Sequence, residues 1–211
     1  MFSRTLTEDE INKITNMVEF IKDKHQGSEG HDYSHVLEVC RYSIKISQEI
    51  KEEVDPFIVI TGALLHDIGR VHQEYGGLHG LMGGAIAEEY LEGINLDNDT
   101  IETITRIIVR HSPTSMLPPI STAEKIVFDA DALDRLGWMG MIRGVMGKRG
   151  SIEEILERTL RKRSEDYHKL NFDVSKEIGK ELYDQSVMLI KGLRKALDER
   201  TLEIENLKLP R

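Results

Sequence analysis

Residues 55–67 read Asp55-Pro56-Phe57-Ile58-Val59-Ile60-Thr61-Gly62-Ala63-Leu64-Leu65-His66-Asp67. The uncharged run from Phe57 to Leu65 exceeds the usual strand of about 5–6 residues. It also opens with Pro in the first helical position, where its missing N–H goes unneeded. It is therefore read as a helix buried all round rather than as a buried strand. His66 and Asp67 close it. An imidazole and a carboxylate at the end of so apolar a helix cost free energy unless they are paired or coordinated. Gly69, just beyond, reads as the chain reversal.

Outward from this helix, the flanking segments carry the same period. A first helix runs from about Thr7, its acidic Glu8, Asp9 and Glu10 suiting the N-terminal dipole. A second follows Asp32 as N-cap and continues to about Glu53. A fourth spans roughly Gly80 to Leu91 and a fifth about Asp99 to His111. Ser121 with Glu124, and Ser151 with Glu154, are capping boxes for two more. Asp173 to Leu197 reads as a long terminal helix, and the Pro-rich stretch from Ser112 to Ile120 as the main loop. No alternating strand of useful length is present. The fold class expected is all-α, one domain over residues 1–211.

Charge narrows the functions. Lys and Arg number 28 against 37 Asp and Glu, a formal net charge of −9. Such a chain suits neither nucleic-acid polymers nor anionic membranes, so phosphate chemistry would need local cations or a metal. The single Cys40 excludes an internal disulfide framework and points to a reducing compartment, the cytoplasm by default. No apolar run approaches the roughly 18 residues of a membrane span. Oligomeric state stays open.

Six of the eight histidines lie between positions 31 and 111. In the second helix, Glu38, Arg41, Lys45 and Glu49 share a polar arc. His35 falls opposite, in a stripe with Val39, Tyr42 and Ile46. His111 shares the arc of Ile104, Ile107 and Ile108. Asp129 and Asp131 interrupt the apolar Ile126-Val127-Phe128, beside alanines too small to shield them. Singly, each has an ordinary structural reading as a satisfied core group or a cap. Together they would need several separate compensations, whereas one divalent cation offsets them all. Mixed imidazole and carboxylate donors suit Mn, Fe, Co, Ni or Mg more than a structural zinc site.

Three local words sharpen this: His31-Asp32-Tyr33-Ser34-His35, then Ala63-Leu64-Leu65-His66-Asp67-Ile68-Gly69-Arg70, then Asp129-Ala130-Asp131-Ala132-Leu133-Asp134-Arg135-Leu136-Gly137. In this order they resemble the HD-domain superfamily of metal-dependent phosphohydrolases, over about residues 20–150. The resemblance implies an HD-domain helical bundle with C-terminal helices over residues 151–200 packed on it. It implies one divalent metal held by His35, His66, Asp67 and Asp131, and hydrolysis of a phosphate ester or anhydride in a small substrate, commonly a nucleotide. Other HD proteins hold two metals, and His79 and His111 stand where the additional ligands would. The alternatives are a dinuclear phosphodiesterase or oxygenase, and a ligand-sensing module without turnover.

The residue roles follow from phosphate chemistry. Asp67 is placed to orient water, and His79 or His111, if free of metal, to pass a proton to the leaving group. Arg70, Arg143 and Lys148 are the candidates for substrate phosphate. Several nucleotide-cleaving branches place an acidic residue soon after the HD pair. Here Arg70 stands in that place with Glu74 further along, which leaves the general acid/base open. Other features read as structural: His31 and His72 as exposed flanks, Gly76 and Gly77 as loop, Arg161-Lys162-Arg163 as a solvated helix end. Trp138, Met139, Met141 and Met146 read as core or a pocket lid.

Overall fold

The computed structural model describes residues 1–25, 32–71, 78–113, 117–146 and 148–208. His31, His72, Glu74, Gly76 and Gly77 lie outside them. The elements are α1 (Glu8–Lys24), α2 (Tyr33–Glu49), α3 (Pro56–Leu65), a 3-10 turn (Ile68–Val71), α4 (His79–Gly93), α5 (Asn98–Arg110), α6 (Thr122–Asp134) and α7 (Gly137–Val145). Short turns follow: α8 (Ile152–Ile155), a π-helical turn (Leu156–Leu160), α9 (Arg161–Glu165) and a 3-10 turn (Asp166–Lys169). The last helix is α10 (Asp173–Glu205). Among the described residues the architecture is all-α, with one isolated parallel bridge between Phe2 and Val54. No described helix is long and apolar enough to cross a membrane.

α3 sits at the centre, packed against α1, α2, α5 and α6, which explains why its sequence shows no polar face. Asp55 caps it by accepting from the backbone N–H of Phe57 and Ile58 at 2.8 and 3.3 Å. Around it, α2 buries His35, Val39, Tyr42 and Ile46, and α5 buries Ile101, Ile104, Ile107 and Ile108. Ser121 and Ser151 each form the capping box expected of them, and Thr7 forms a third with Glu10. Glu124, buried in the second box, also takes Arg106 at 3.2 Å and so ties α6 to α5.

Four details depart from the sequence reading. α2 stops at Glu49 because the chain terminus intervenes. The Met1 ammonium donates to the carbonyls of Ile50 and Glu52, and Val54 N–H to that of Met1, drawing this connection into extended backbone. α7 was not foreseen, since Gly137, Gly140 and Gly144 depress helix propensity. Gly137 enters it at φ +69°, a conformation that side chains rarely adopt. α10 runs past Leu197 to Glu205, over exposed residues that carry no apolar period.

The fourth is Gly69, which does not reverse the chain through a left-handed conformation: it lies within the 3-10 turn, and its φ is not positive. What it supplies is room. A Cβ there would stand 2.1 Å from the His79 carbonyl oxygen and 2.8 Å from the Gly83 nitrogen, so the start of α4 rests directly on this turn. Both neighbours are backbone and cannot swing aside. Gly69→Ala is therefore expected to destabilise the protein by about 2–3 kcal/mol, the upper range for overpacking, as measured by chemical unfolding.

Candidate metal centre

Five elements converge on one point. α2 contributes His35, the end of α3 His66 and Asp67, the first turn of α4 His79, the end of α5 His111, and the middle of α6 Asp131. None of the six is more than 4% exposed. His35 Nε2 lies 3.5 Å from Asp67 Oδ2 and 3.6 Å from Asp131 Oδ1. His66 Nε2 lies 3.2 Å from His35 Nε2 and 3.8 Å from Asp67 Oδ2. The other Asp67 oxygen, Oδ1, faces His111 Nε2 at 3.4 Å and His79 Nε2 at 3.5 Å. Donor atoms of His35, His66 and Asp131, and likewise of His66, Asp67 and His111, lie within 4.8 Å of one another.

Second hydrogen bonds settle which ring nitrogens face inward. His66 Nδ1–H donates to the Ala63 carbonyl at 2.7 Å, and His111 Nδ1–H to that of Ile108 at 2.6 Å. A carbonyl only accepts, so each ring carries a proton on Nδ1 and turns its Nε2 towards the centre. Burial, with His111 and His35 close by, holds His66 down at about 3 and so neutral. His35 differs. Burial lowers its pKa, but the Asp134 and Asp67 carboxylates outweigh that and hold it at about 10. Lone pairs and carboxylates that face one another need positive charge between them. A proton on His35 supplies some of it, and a divalent cation would supply more. The donor set therefore fits a metal ion.

Asp134 went unread in the sequence. It stands three residues after Asp131 on α6, hence on the same side, and its Oδ2 accepts from His35 Nδ1 at 2.6 Å. Arg143 from α7 pairs with the same oxygen and reaches Ser34 Oγ at 3.3 Å. Asp129 faces the other way, accepting from the backbone N–H of Asn171 and Phe172.

Comparison with known proteins agrees with this arrangement. The HD-domain family model matches residues 32–136, a span that includes His35, His66-Asp67 and Asp131. The chain belongs to the HD-domain family. YpgQ of Bacillus subtilis is 29% identical over 181 residues, covering 80% of this chain and 85% of that protein. The crystal structure of YpgQ in complex with ADP superposes with a TM-score of 0.67 at 21% identity, over 89% of this chain and 96% of that one. A predicted HD superfamily hydrolase from an uncultured Thermotogales bacterium gives 0.58 at 22%, over 90% and 92%.

Two cavities flank the HD-domain cluster. One, of about 710 Å³, is lined by both Arg70 and Lys148, and Arg70 Nε stands 3.5 Å from Asp67 Oδ1. Arg143 is not there. It lines a second cavity of about 340 Å³ with Tyr42, Trp138 and Met139, and its Nη1 is held by Asp134. Trp138, Met139 and Met146 are exposed, whereas Met141 is buried against Leu189 and Leu193. The Arg161-Lys162-Arg163 run is not simply a solvated helix end: Lys162 and Arg163 line the larger cavity.

Proposed function

We propose that this chain is a metal-dependent phosphohydrolase acting on a small phosphorylated substrate, with nucleotides as the substrate class. One observation carries the reading: His35, His66, Asp67 and Asp131 meet in a single buried cluster, joined through Arg70 to a cation-lined cavity. The ADP in the YpgQ structure supports the nucleotide. We extend the reading to the chain as a whole, with residues 151–200 belonging to the same domain, as the packing of α10 on α6 and α7 supports. A cytoplasmic setting fits the lone, buried Cys40, its thiol pushed up to about 11 by burial.

His35, His66, Asp67 and Asp131 would hold one divalent ion, from among Mn, Mg, Fe, Co and Ni. Such an ion polarises a phosphoryl oxygen and lowers the pKa of bound water from about 15.7 towards roughly 7. The protein's own groups do the rest. Arg70 directs its guanidinium at the substrate phosphate from beside Asp67. Asp67 orients the attacking water, whose oxygen bonds to phosphorus as the bond to the leaving oxygen breaks. His79 and His111 face Asp67 Oδ1 closely enough to carry the proton that the leaving oxygen takes up. A second reading, in which His79 and His111 would hold a second ion, draws support from the separate grouping of His66, Asp67 and His111.

Elemental analysis of the purified chain, with a phosphate-release panel of nucleotides and phosphomonoesters before and after chelation, tests this. Turnover that vanishes on chelation and returns with one divalent metal is expected. Bound metal with no turnover on any member would replace the reading with a ligand-sensing module. In the same assay Asp134→Asn is expected to lose about 10–100-fold in metal affinity or activity, the usual cost of an outer partner of a ligating histidine. Its melting temperature should fall as well, because the Asn amide cannot hold His35 and Arg143 as the carboxylate does.

A further inference from the structure

The cavity beyond Arg70 is electrostatically out of keeping with its chain. Eight of its twelve lining residues are Lys or Arg and three are Asp or Glu, in a protein of net charge −9. A solvated basic face would be the ordinary explanation, but two guanidiniums argue otherwise. Arg135 is largely covered and binds the buried Asp166 through Nε at 2.7 Å, and Lys169 approaches the same carboxylate at 3.4 Å. Arg163, half-buried beside Arg135, makes no ion pair or hydrogen bond among the described residues. Burial and the Arg135 charge pull its pKa to about 10. Packing like charges together and leaving one without a carboxylate opposes folding, and such local conflicts concentrate where a ligand resolves them. Lys148 and Lys162 add exposed charge to the same lining. Its residues from 148 to 169 lie outside the span matched by the family model, so this basic wall is an addition carried by the C-terminal turns.

We propose that this wall is an oligophosphate cleft. It grips the uncleaved remainder of a linear phosphate chain whose reacting phosphate lies at Arg70, and it selects substrates with three or more linked phosphates over phosphomonoesters. Arg163 and Arg135 are the inner specificity residues, and Lys162 and Lys148 the outer ones. Four cations on one cavity wall, two partly covered and two exposed, match a chain of repeated anions and exceed what a single phosphate can engage. The proposal rests on the phosphohydrolase reading for the direction in which the chain lies.

Calorimetric titration of the full, metal-loaded chain with methylene-bridged tripolyphosphate and with orthophosphate tests it, phosphate release from a hydrolysable triphosphate being recorded on the same preparations. The parent should bind the tripolyphosphate analogue at least about tenfold more tightly than orthophosphate. Arg163→Gln should lose about tenfold for the analogue while orthophosphate changes by less than about twofold, the loss of one charge-assisted contact. If Arg163→Gln does not fold, the double variant Lys148→Gln/Lys162→Gln, at two exposed positions, decides by the same criterion. Equal affinities in the parent, or variants that weaken both ligands alike, would overturn the cleft. Turnover without chain-length selectivity sinks the cleft alone. Selectivity without turnover keeps the cleft and sinks the phosphohydrolase reading.

Discussion

Asp67→Asn should yield a folded protein that has lost its divalent ion and nearly all turnover. Asp67 is the hub of the cluster: Oδ2 faces His35 at 3.5 Å and His66 at 3.8 Å, while Oδ1 faces His79, His111 and Arg70 at 3.4–3.5 Å. Asn keeps the volume and one oxygen but removes the charge that collects these groups, and it sets an NH2 where an acceptor is wanted. An outer partner of a metal ligand is worth roughly 10–100-fold, so Asp67, proposed both to hold the ion and to orient water, should exceed about 100-fold. Metal stoichiometry by elemental analysis and the melting temperature of the metal-free protein check this together. Full metal occupancy with parental turnover would remove Asp67 from the chemistry. Misfolding is not expected, because the ion-free cluster is rich in imidazole and retains Asp131 and Asp134.

Much of this architecture is legible in the residues because helical period and cap chemistry are local. Asp55-Pro56 and the apolar run announce α3; Thr7, Asp32, Ser121 and Ser151 announce the starts of α1, α2, α6 and α8. The same period turns His35 and His111 inward, and the structure brings both to Asp67. What escaped reading depends on contacts distant in sequence. α2 ends where the chain terminus reaches it. α7 holds against its glycines because Met141 packs on α10. Arg143 looked available for phosphate, but its partner is Asp134, a pairing that sequence spacing does not reveal. Asp134 itself left a signal, three residues beyond Asp131 on one helix face. The basic cavity left almost none, since short turns of three helical types between 152 and 169 present Arg163 inward with no steady period.

The third aspartate of α6 carries the largest expected effect on stability. Asp129 is 0% exposed and stands two residues before Asp131, on the opposite side of α6. Its carboxylate accepts from Asn171 N–H at 2.8 Å, Asn171 Nδ2 at 2.8 Å and Phe172 N–H at 3.0 Å. Phe172 is the N-cap of α10 and provides no side-chain cap, so α6 supplies the acceptor that the entry to α10 lacks. Asp129→Ala deletes it and leaves the Phe172 N–H without an acceptor, while the Asn171 donors turn to solvent. At about 1–3 kcal/mol for each donor stranded, and with Asn171 exposed enough to find water, the loss should be about 3 kcal/mol. For a chain of this length that is a fall of roughly 6–12 °C in melting temperature. Asp131→Asn, measured without metal, should lose far less, because Asp131 caps nothing and its neighbours keep other carboxylates. The two variants thus separate what α6 does for the fold from what it does at the centre. If Asp129→Ala melted with the parent, α10 would be held by its apolar face alone.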